Sequence, residues 1–192
     1  VGFQHRGDAE RFLAELRERF AKFGLELHPE KTRLIEFGRF AEKNRRDRGD
    51  GKPLTFNFLG FTHICGKTRK GKFTVLRQTM RKRWQAKLKE IGNELRRRLH
   101  QPVPEQGAYL RTVLLGHYRY YGVPRNGPAL SAFRHAVAWR WGQRLRRRSQ
   151  KTRLTVRRWA RLVTQWLPTP RICQPWPNQR LFVTTQGGSR MR

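Results

Sequence analysis

The side chains that could do chemistry in this sequence are mainly cationic and aromatic, and the cations are concentrated after residue 38. Residues 1–38 carry 7 basic and 7 acidic side chains, residues 39–105 carry 19 and 6, and residues 106–192 carry 18 basic and no acidic ones. Guanidinium groups pair with phosphate, and aromatic rings stack on bases. The net charge of +31 therefore predicts a polyanionic partner, and nucleic acid is the expected one.

Catalytic and metal-binding patterns are sparse. Because no Asp or Glu follows Glu105, the last part of the chain cannot supply a carboxylate pair for acid–base or two-metal chemistry. The six carboxylates of residues 39–105 show no paired spacing, which disfavours a nuclease. Cys65 and Cys173 are isolated, so neither a zinc site nor a disulfide framework is predicted. We expect no cofactor in this chain, and the absence of a signal peptide or long apolar run predicts no membrane segment.

The elements that must position these groups begin with an amphipathic helix, which we expect to start after an Asp8 N-cap and to end before Gly24 at C′. Two short strands are expected at 25–27 and 34–37, followed by a polar loop or insertion at 39–53. Residues 55–64 have the character of one continuous strand. A hairpin turn between Gly66 and Gly71 is expected to lead into a further strand at 73–76.

Four helices are predicted from apolar residues at helical spacing. The second begins near Glu105 and ends at Gly122, the third is opened by Pro128, and the fourth is capped by Thr155. Their inward stripes are Trp84, Leu88, Ile91, Leu95 and Leu99; Leu110, Val113, Leu114, His117, Tyr118 and Tyr121; Leu130, Phe133, Val137, Trp141 and Leu145; and Val156, Trp159, Ala160, Val163 and Trp166. The predicted fold class is α+β, with a short β-hairpin region near the N-terminus followed by a mostly helical part.

Basic and polar residues off these stripes are the candidate RNA-binding groups. Each could also be an ordinary solvated side chain, and Tyr120, next to Arg119, is a candidate platform for base stacking. The candidates are Arg81, Lys82, Arg83, Lys87, Arg111, Arg119, Tyr120, Arg140, Arg144, Arg146, Arg147, Arg148, Ser149, Gln150, Arg153, Arg157 and Arg158.

Residues 116–126, with the sequence GHYRYYGVPRN, and residues 146–150, RRRSQ, resemble the maturase-specific domain of bacterial group II intron reverse transcriptases. Residues 24–32, GLELHPEKT, are similar to a late palm motif of reverse transcriptases. That resemblance implies that Lys31 lies near the incoming nucleotide. Phe58, Leu59, Gly60 and Phe61 resemble the element that holds the 3′ end of the primer.

The resemblance implies a division into the end of the palm at 1–78, a first thumb helix at 79–101, a thumb and maturase helical domain at 102–167, and an extended basic tail at 168–192. It implies binding of group II intron RNA to assist splicing, and of an RNA/DNA template–primer during reverse transcription. A bacterial cytoplasmic location and an endonuclease-less parent are also expected. Nothing in the sequence indicates an oligomeric state.

The sequence departs from the family in its catalytic centre. The Tyr-Ala-Asp-Asp motif is absent, and the chain begins at Val1-Gly2-Phe3 without Met, so we expect a fragment that does not polymerise alone. The full-length parent would be an RNA-directed DNA polymerase that uses Mg²⁺. The alternative is a freestanding basic RNA-binding protein, or a degenerate remnant, with no polymerase activity.

Overall fold

The computed structural model describes residues 1–148 and 154–176, which form helices and one three-stranded antiparallel sheet. The predicted α+β class is confirmed. Two compact units are present, Val1–Leu54 and a second that begins at Thr55. The elements are α1 (Arg6–Ala21), α2 (Ala41–Asp47), β1 (Phe56–Phe58), β2 (Phe61–Lys67), β3 (Phe73–Thr79), α3 (Arg81–Arg97), α4 (Val103–Tyr121), α5 (Gly127–Arg147) and α6 (Val156–Trp166).

Helix α1 ends as predicted but begins earlier than predicted. Gly24 has φ 66°, and its N–H donates to the Ala21 carbonyl while the Leu25 N–H donates to the Phe20 carbonyl, both at 3.0 Å. This pair of hydrogen bonds is the Schellman motif, with Gly24 at C′. The predicted Asp8 N-cap is wrong, because the helix starts two residues before it.

Residues 25–37 do not form the two predicted strands. A strand needs a neighbour that pairs with its backbone N–H and C=O groups, and residues 1–54, all of them described, contain no strand. This segment instead makes a turn, in which the Thr32 N–H donates to the His28 carbonyl at 2.9 Å. The apolar pattern of residues 25–37 indicates a preference for strand, but these residues have no neighbouring strand with which to pair.

The predicted loop at 39–53 is also wrong, because it contains helix α2. Arg46 forms an ion pair with Glu42 at 3.4 Å, one helical turn away. Glu36 binds Arg48, and Arg48 in turn contacts Asp50 at 2.9 Å. The hydrogen bond from Arg48 lowers the pKa of the Glu36 carboxyl. Charge pairing therefore organises a segment whose composition suggested a loop.

The sheet is a meander in the order β1-β2-β3. The predicted continuous strand at 55–64 is wrong, because the chain reverses at Leu59 and Gly60 and Phe58 pairs with Phe61. The predicted hairpin between β2 and β3 is confirmed, with Gly66 inside β2 and the turn at residues 68–72. Its Thr68 N–H donates to the Lys72 carbonyl at 2.7 Å.

Helices α3, α4 and α5 share one apolar core, and their predicted stripes are confirmed except at Leu99, which is half-buried and lies two residues beyond the end of α3. His117 and Tyr118 are buried, as their register predicts. Helix α4 begins two residues earlier than expected, with Pro104 in its first turn, where no intrahelical N–H bond is lost. The buried cluster consists of Leu88, Ile91, Leu95, Leu110, Leu114, Tyr118, Leu130, Phe133, Val137, Ala138, Trp141, Leu145 and Leu167.

Helix α6 has the predicted cap and a partly different inward face. The Thr155 hydroxyl accepts from the Arg158 N–H at 3.3 Å, which confirms the cap. Val156 and Ala160 were expected inside, but both are exposed, Val156 by 84%. Leu162 packs against the core instead, together with Trp159, Val163 and Trp166. These four are spaced i, i+3, i+4 and i+7, so the stripe starts one turn after the cap.

The connection after α6 returns to α4 as an extended segment. Gly122 accepts hydrogen bonds at its carbonyl from Cys173 at 2.8 Å and Gln174 at 2.9 Å. A Cβ on Gly122 would lie 2.9 Å from the Arg171 carbonyl oxygen, so only glycine permits this approach. The extended character predicted from residue 168 is found up to residue 176, and the rest of that tail lies outside the described residues.

Candidate nucleic-acid interface

The predicted primer-grip tetrapeptide forms the tip of the β1–β2 hairpin. Leu59 and Gly60 have φ of 47° and 78°, the left-handed region that tight two-residue hairpin turns use. Phe58 and Leu59 are 59% and 66% exposed, whereas Phe61 is buried. The tetrapeptide therefore presents two exposed apolar side chains at a tight turn.

Two consecutive tyrosines of α4 hold this turn. The Tyr120 hydroxyl donates to the Leu59 carbonyl at 2.9 Å. The Phe61 ring lies nearly parallel to Tyr120, with centroids 6.0 Å apart, and meets Tyr121 edge-on at 5.2 Å. A Cβ on Gly60 would lie 3.0 Å from the Tyr121 hydroxyl. The predicted stacking platform at Tyr120 is thus partly occupied by Phe61, and the ring's remaining surface is exposed.

Asn126 attaches the α4–α5 turn to the end of β3. Its Nδ2 donates to the Thr79 hydroxyl and to the Tyr121 carbonyl, both at 2.8 Å, and its Oδ1 accepts from the Thr79 N–H at 3.2 Å. The side chain is buried, so each of these bonds replaces lost water. Sequence reasoning gave Asn126 no role of its own, and no local signal marks a partner 47 residues away.

Three predicted RNA-binding residues, Arg81, Lys82 and Arg83, are exposed in the first turn of α3. No acidic residue lies in that turn. Cations at a helix N-terminus oppose the helix dipole, at about 0.3–1 kcal/mol each. A phosphate bound at this helix N-terminus would offset the unfavourable interaction, because both the cations and the free N–H groups attract an anion. The start of α3 is therefore better suited to a complex with an anion than to the isolated chain.

The other predicted residues lie on three helices with different exposure. Arg140 and Arg144 are half-buried on α5. The exposed ones are Arg111 and Arg119 on α4, Arg146 and Arg147 at the end of α5, and Arg157 and Arg158 at the start of α6. The exposed guanidinium groups are accessible to phosphate.

Arg148 has a packing role. Its Nη1 and Nη2 donate to the carbonyls of Gln101 and His100, at 3.0 and 3.1 Å, in the α3–α4 connection. Arg134, which the sequence placed off the core stripe without a role, donates similarly to the Leu167 carbonyl at 3.1 Å. Both guanidinium groups satisfy backbone acceptors between elements.

Lys31 lies in the first unit, exposed on the turn at residues 28–32. Its predicted place near a nucleotide stays a prediction. Ser149, Gln150 and Arg153 lie outside the described residues.

A groove of about 450 Å³ lies between α3 and α4 and brings together Arg83, Lys87 and Tyr120, which the sequence predicted separately. Lys87 forms an ion pair with Glu90 at 2.6 Å on one wall. The full lining is Arg83, Ala86, Lys87, Glu90, Thr112, Val113, Gly116, His117, Tyr120 and Tyr121.

His117 makes the inner side of this groove aromatic and uncharged. Its ring stacks on Phe133, with centroids 3.8 Å apart, and packs against Tyr121 at 4.6 Å. Burial, and secondarily the charge of Lys87, lowers the pKa of His117 to about 4. The Nε2 atom has no hydrogen-bond partner among the described residues. The imidazole is therefore neutral at physiological pH.

Within the described part of the chain, no three His, Cys, Asp or Glu side chains are grouped so as to hold a metal ion. In the same part, no helix is both long and apolar enough to cross a membrane. Comparisons with protein-family models, curated proteins and solved structures gave no match to this chain. The chain has an α+β fold. Its residues 55–192 contain 31 basic and 3 acidic side chains.

Proposed function

We propose that this chain is the C-terminal part of a group II intron reverse transcriptase and maturase, which binds intron RNA to assist splicing and holds the template–primer during reverse transcription. The observation that carries the proposal is the contact between the two most family-like segments. The Tyr120 hydroxyl, in the maturase-like segment, binds the Leu59 carbonyl, in the primer-grip-like turn, across 61 residues.

The contact supports two separate binding roles within the second unit, one for the β1–β2 turn and one for the helices. The exposed side chains of Phe58 and Leu59 at this turn would lie beside the primer end. Tyr120 would transmit the position of the RNA-binding helices to that turn. Asn126 supports the same role, because it fixes the adjacent α4–α5 turn to β3.

The charge balance supports a polyanionic ligand for this unit. After residue 54, Glu90, Glu94 and Glu105 are the only side-chain carboxylates, against 31 cations. Most of these cations therefore lack an intramolecular carboxylate and would gain a counter-charge from RNA phosphates. The proposed function assigns no step in this chain to the Mg²⁺ expected for the full-length polymerase.

The test is a comparison of RNA affinities at physiological salt. The probes are the intron RNA that flanks the coding sequence in its source DNA and a scrambled RNA of equal length and composition. The proposal predicts tighter binding of the intron, since electrostatic attraction alone ignores RNA structure. Equal affinities, with the same steep dependence on salt, would favour the freestanding basic RNA-binding protein.

Two double variants distinguish the effect of where the positive charges lie from the effect of how many there are. Replacing Arg146 and Arg147 by Ala should weaken intron binding and reduce the salt slope by about 2, if each contacts one phosphate. Replacing Arg17 and Arg19 on α1 makes the same charge change in the first unit. Equal losses in the two double variants would return Arg146 and Arg147 to the class of solvated charges.

A further inference from the structure

Gly116 is a glycine inside a helix that packing does not explain. A Cβ on Gly107 of the same helix would lie 2.4 Å from Trp166, and one on Gly142 would lie 3.3 Å from Trp159, so these two glycines make room for tryptophan rings. A Cβ on Gly116 would meet nothing within 4 Å. Glycine is nevertheless unfavourable in a helix interior. What distinguishes Gly116 is that it lines the α3–α4 groove, which a larger side chain would narrow.

The walls of this groove carry the groups that bind a nucleotide. Arg83 and Lys87 are one helical turn apart on α3 and supply two cations, of which Lys87 is paired with Glu90 on the same wall. Tyr121 and the exposed part of the Tyr120 ring supply flat aromatic surface, and the buried, neutral ring of His117 lies behind them. Thr112 adds a hydroxyl. The volume of about 450 Å³ lies within the range of small-ligand sites. Proteins that bind single-stranded RNA combine cations along the backbone with aromatic surfaces for the bases.

We propose that the α3–α4 groove binds one unstacked nucleotide of a bound RNA strand, with its phosphate at Arg83 and Lys87 and its base against the aromatic surface beside Gly116. This inference rests on the proposed RNA-binding function and adds a discrete site to it. A nucleotide fits better than an apolar peptide, because the groove joins cations to a flat aromatic surface.

The direct test uses adenosine 5′-monophosphate, with ribose 5-phosphate as the probe that lacks a base, titrated into the full chain at physiological salt. The chemical shifts of the His117 ring protons report occupancy of the groove. We expect adenosine 5′-monophosphate to bind roughly tenfold or more tightly than ribose 5-phosphate, because stacking adds to the phosphate contact. Equal affinities for the two probes would overturn the inference and leave only attraction to positive charge.

Two substitutions, each with a matched control, locate the binding. Gly116→Leu should weaken nucleotide binding roughly tenfold or more by occupying the groove, whereas Gly7→Leu, also at an open helical position, should not. Arg83→Gln should weaken binding roughly tenfold by removing a charged phosphate contact, whereas Arg96→Gln on the same helix should not. Both arginines are exposed, so these variants keep the fold even if Gly116→Leu does not. Unchanged nucleotide affinity in Arg83→Gln and in folded Gly116→Leu would overturn the site.

The intron comparison distinguishes the two proposals. If the chain prefers its intron but the groove variants bind adenosine 5′-monophosphate normally, this inference fails alone. If the variants no longer bind adenosine 5′-monophosphate while the unsubstituted chain binds intron and scrambled RNA equally, the intron assignment fails. The groove then remains as a general RNA-binding site.

Discussion

The two compact units of this chain are stabilised in different ways. Residues 1–54, all of them described, bury only Ala9 and Ala41, and their surface carries ion pairs such as those of Glu36 with Arg48 and of Glu42 with Arg46. The second unit buries a continuous apolar cluster built from α3, α4, α5 and Leu167. One unit thus depends on paired surface charges and the other on a packed interior.

The difference shows where charge is available for binding. Exposed ion pairs contribute about 0–1 kcal/mol each, whereas burial of one large apolar side chain contributes about 1.5–3 kcal/mol. Because the core already stabilises the second unit, most of its cations are not needed to hold the fold together, and Arg134 and Arg148 are exceptions that bind backbone carbonyls. The first unit, with 13 basic and 10 acidic side chains before residue 55, uses much of its charge internally. All six Trp residues follow residue 54, so Trp fluorescence monitors the second unit alone.

The largest expected effect comes from Trp141, which is fully buried and donates from Nε1 to Gln106 at 3.0 Å. Trp141→Ala should lower the free energy of unfolding by about 3–5 kcal/mol, because it leaves a cavity and an unpaired amide oxygen. Trp139→Ala on the same helix is the control, since Trp139 is 62% exposed. It should change stability by less than about 0.5 kcal/mol in urea unfolding followed by Trp fluorescence. Similar losses for both would contradict the packed core.

A second prediction concerns the acid sensitivity of the second unit. His117 has a folded pKa of about 4, below its ordinary value of 6.5, so the unfolded chain binds a proton first as pH falls. The contribution of His117 to the free energy of unfolding is therefore fully present above pH 6.5. It is lost as pH falls towards 4, by at most about 3 kcal/mol. His117→Phe keeps an aromatic ring against Phe133 and should remove this decline. Unfolding midpoints measured across this pH range test it, and an unchanged decline in the variant would assign it to another group.

Asparagines in the two units allow the same substitution to be compared. Asn126 is buried, and Asn126→Ala leaves the partly buried Thr79 N–H without its acceptor and should cost about 2–3 kcal/mol. Asn44→Ala removes an exposed bond to Glu36 of 2.7 Å and should cost less than about 0.5 kcal/mol. Chemical unfolding followed by Trp fluorescence measures the effect of Asn126→Ala. Amide exchange of α2 measures the effect of Asn44→Ala. A large effect at Asn44 would contradict the small contribution that we expect from an exposed hydrogen bond in the first unit.

The smallest expected effect is at Glu36. The hydrogen bond from Arg48 lowers the pKa of this carboxyl below 4.5, so its contribution is present above pH 4.5 and is lost as pH falls through the folded pKa. Glu36→Gln should increase amide exchange in α2 slightly at neutral pH and low salt. The difference should disappear near about 1 M salt, where such charges are screened. A difference that persists in high salt would show that Glu36 acts through packing.

The sequence predicted best where each residue's environment follows from its own periodicity. The stripes of α3, α4 and α5 identified residues such as Leu88, Leu110 and Trp141 as core, and Gly24 and Thr155 were recognised as helix ends from local chemistry. Prediction failed where a distant partner decided the outcome. The apolar residues of 25–37 lacked a strand to pair with, and α2 formed through ion pairs that composition does not reveal.

The sequence alone therefore determined the helical core and the excess positive charge, because 3.6-residue periodicity and composition are local properties. The tertiary structure alone decided which groups meet. It placed the turn at Leu59 under Tyr120, directed Arg148 to backbone carbonyls, and put Arg83 and Lys87 across a groove from His117. Periodicity states that a residue faces inward or outward but not what it faces, and these groups lie 30 to 61 positions apart along the chain.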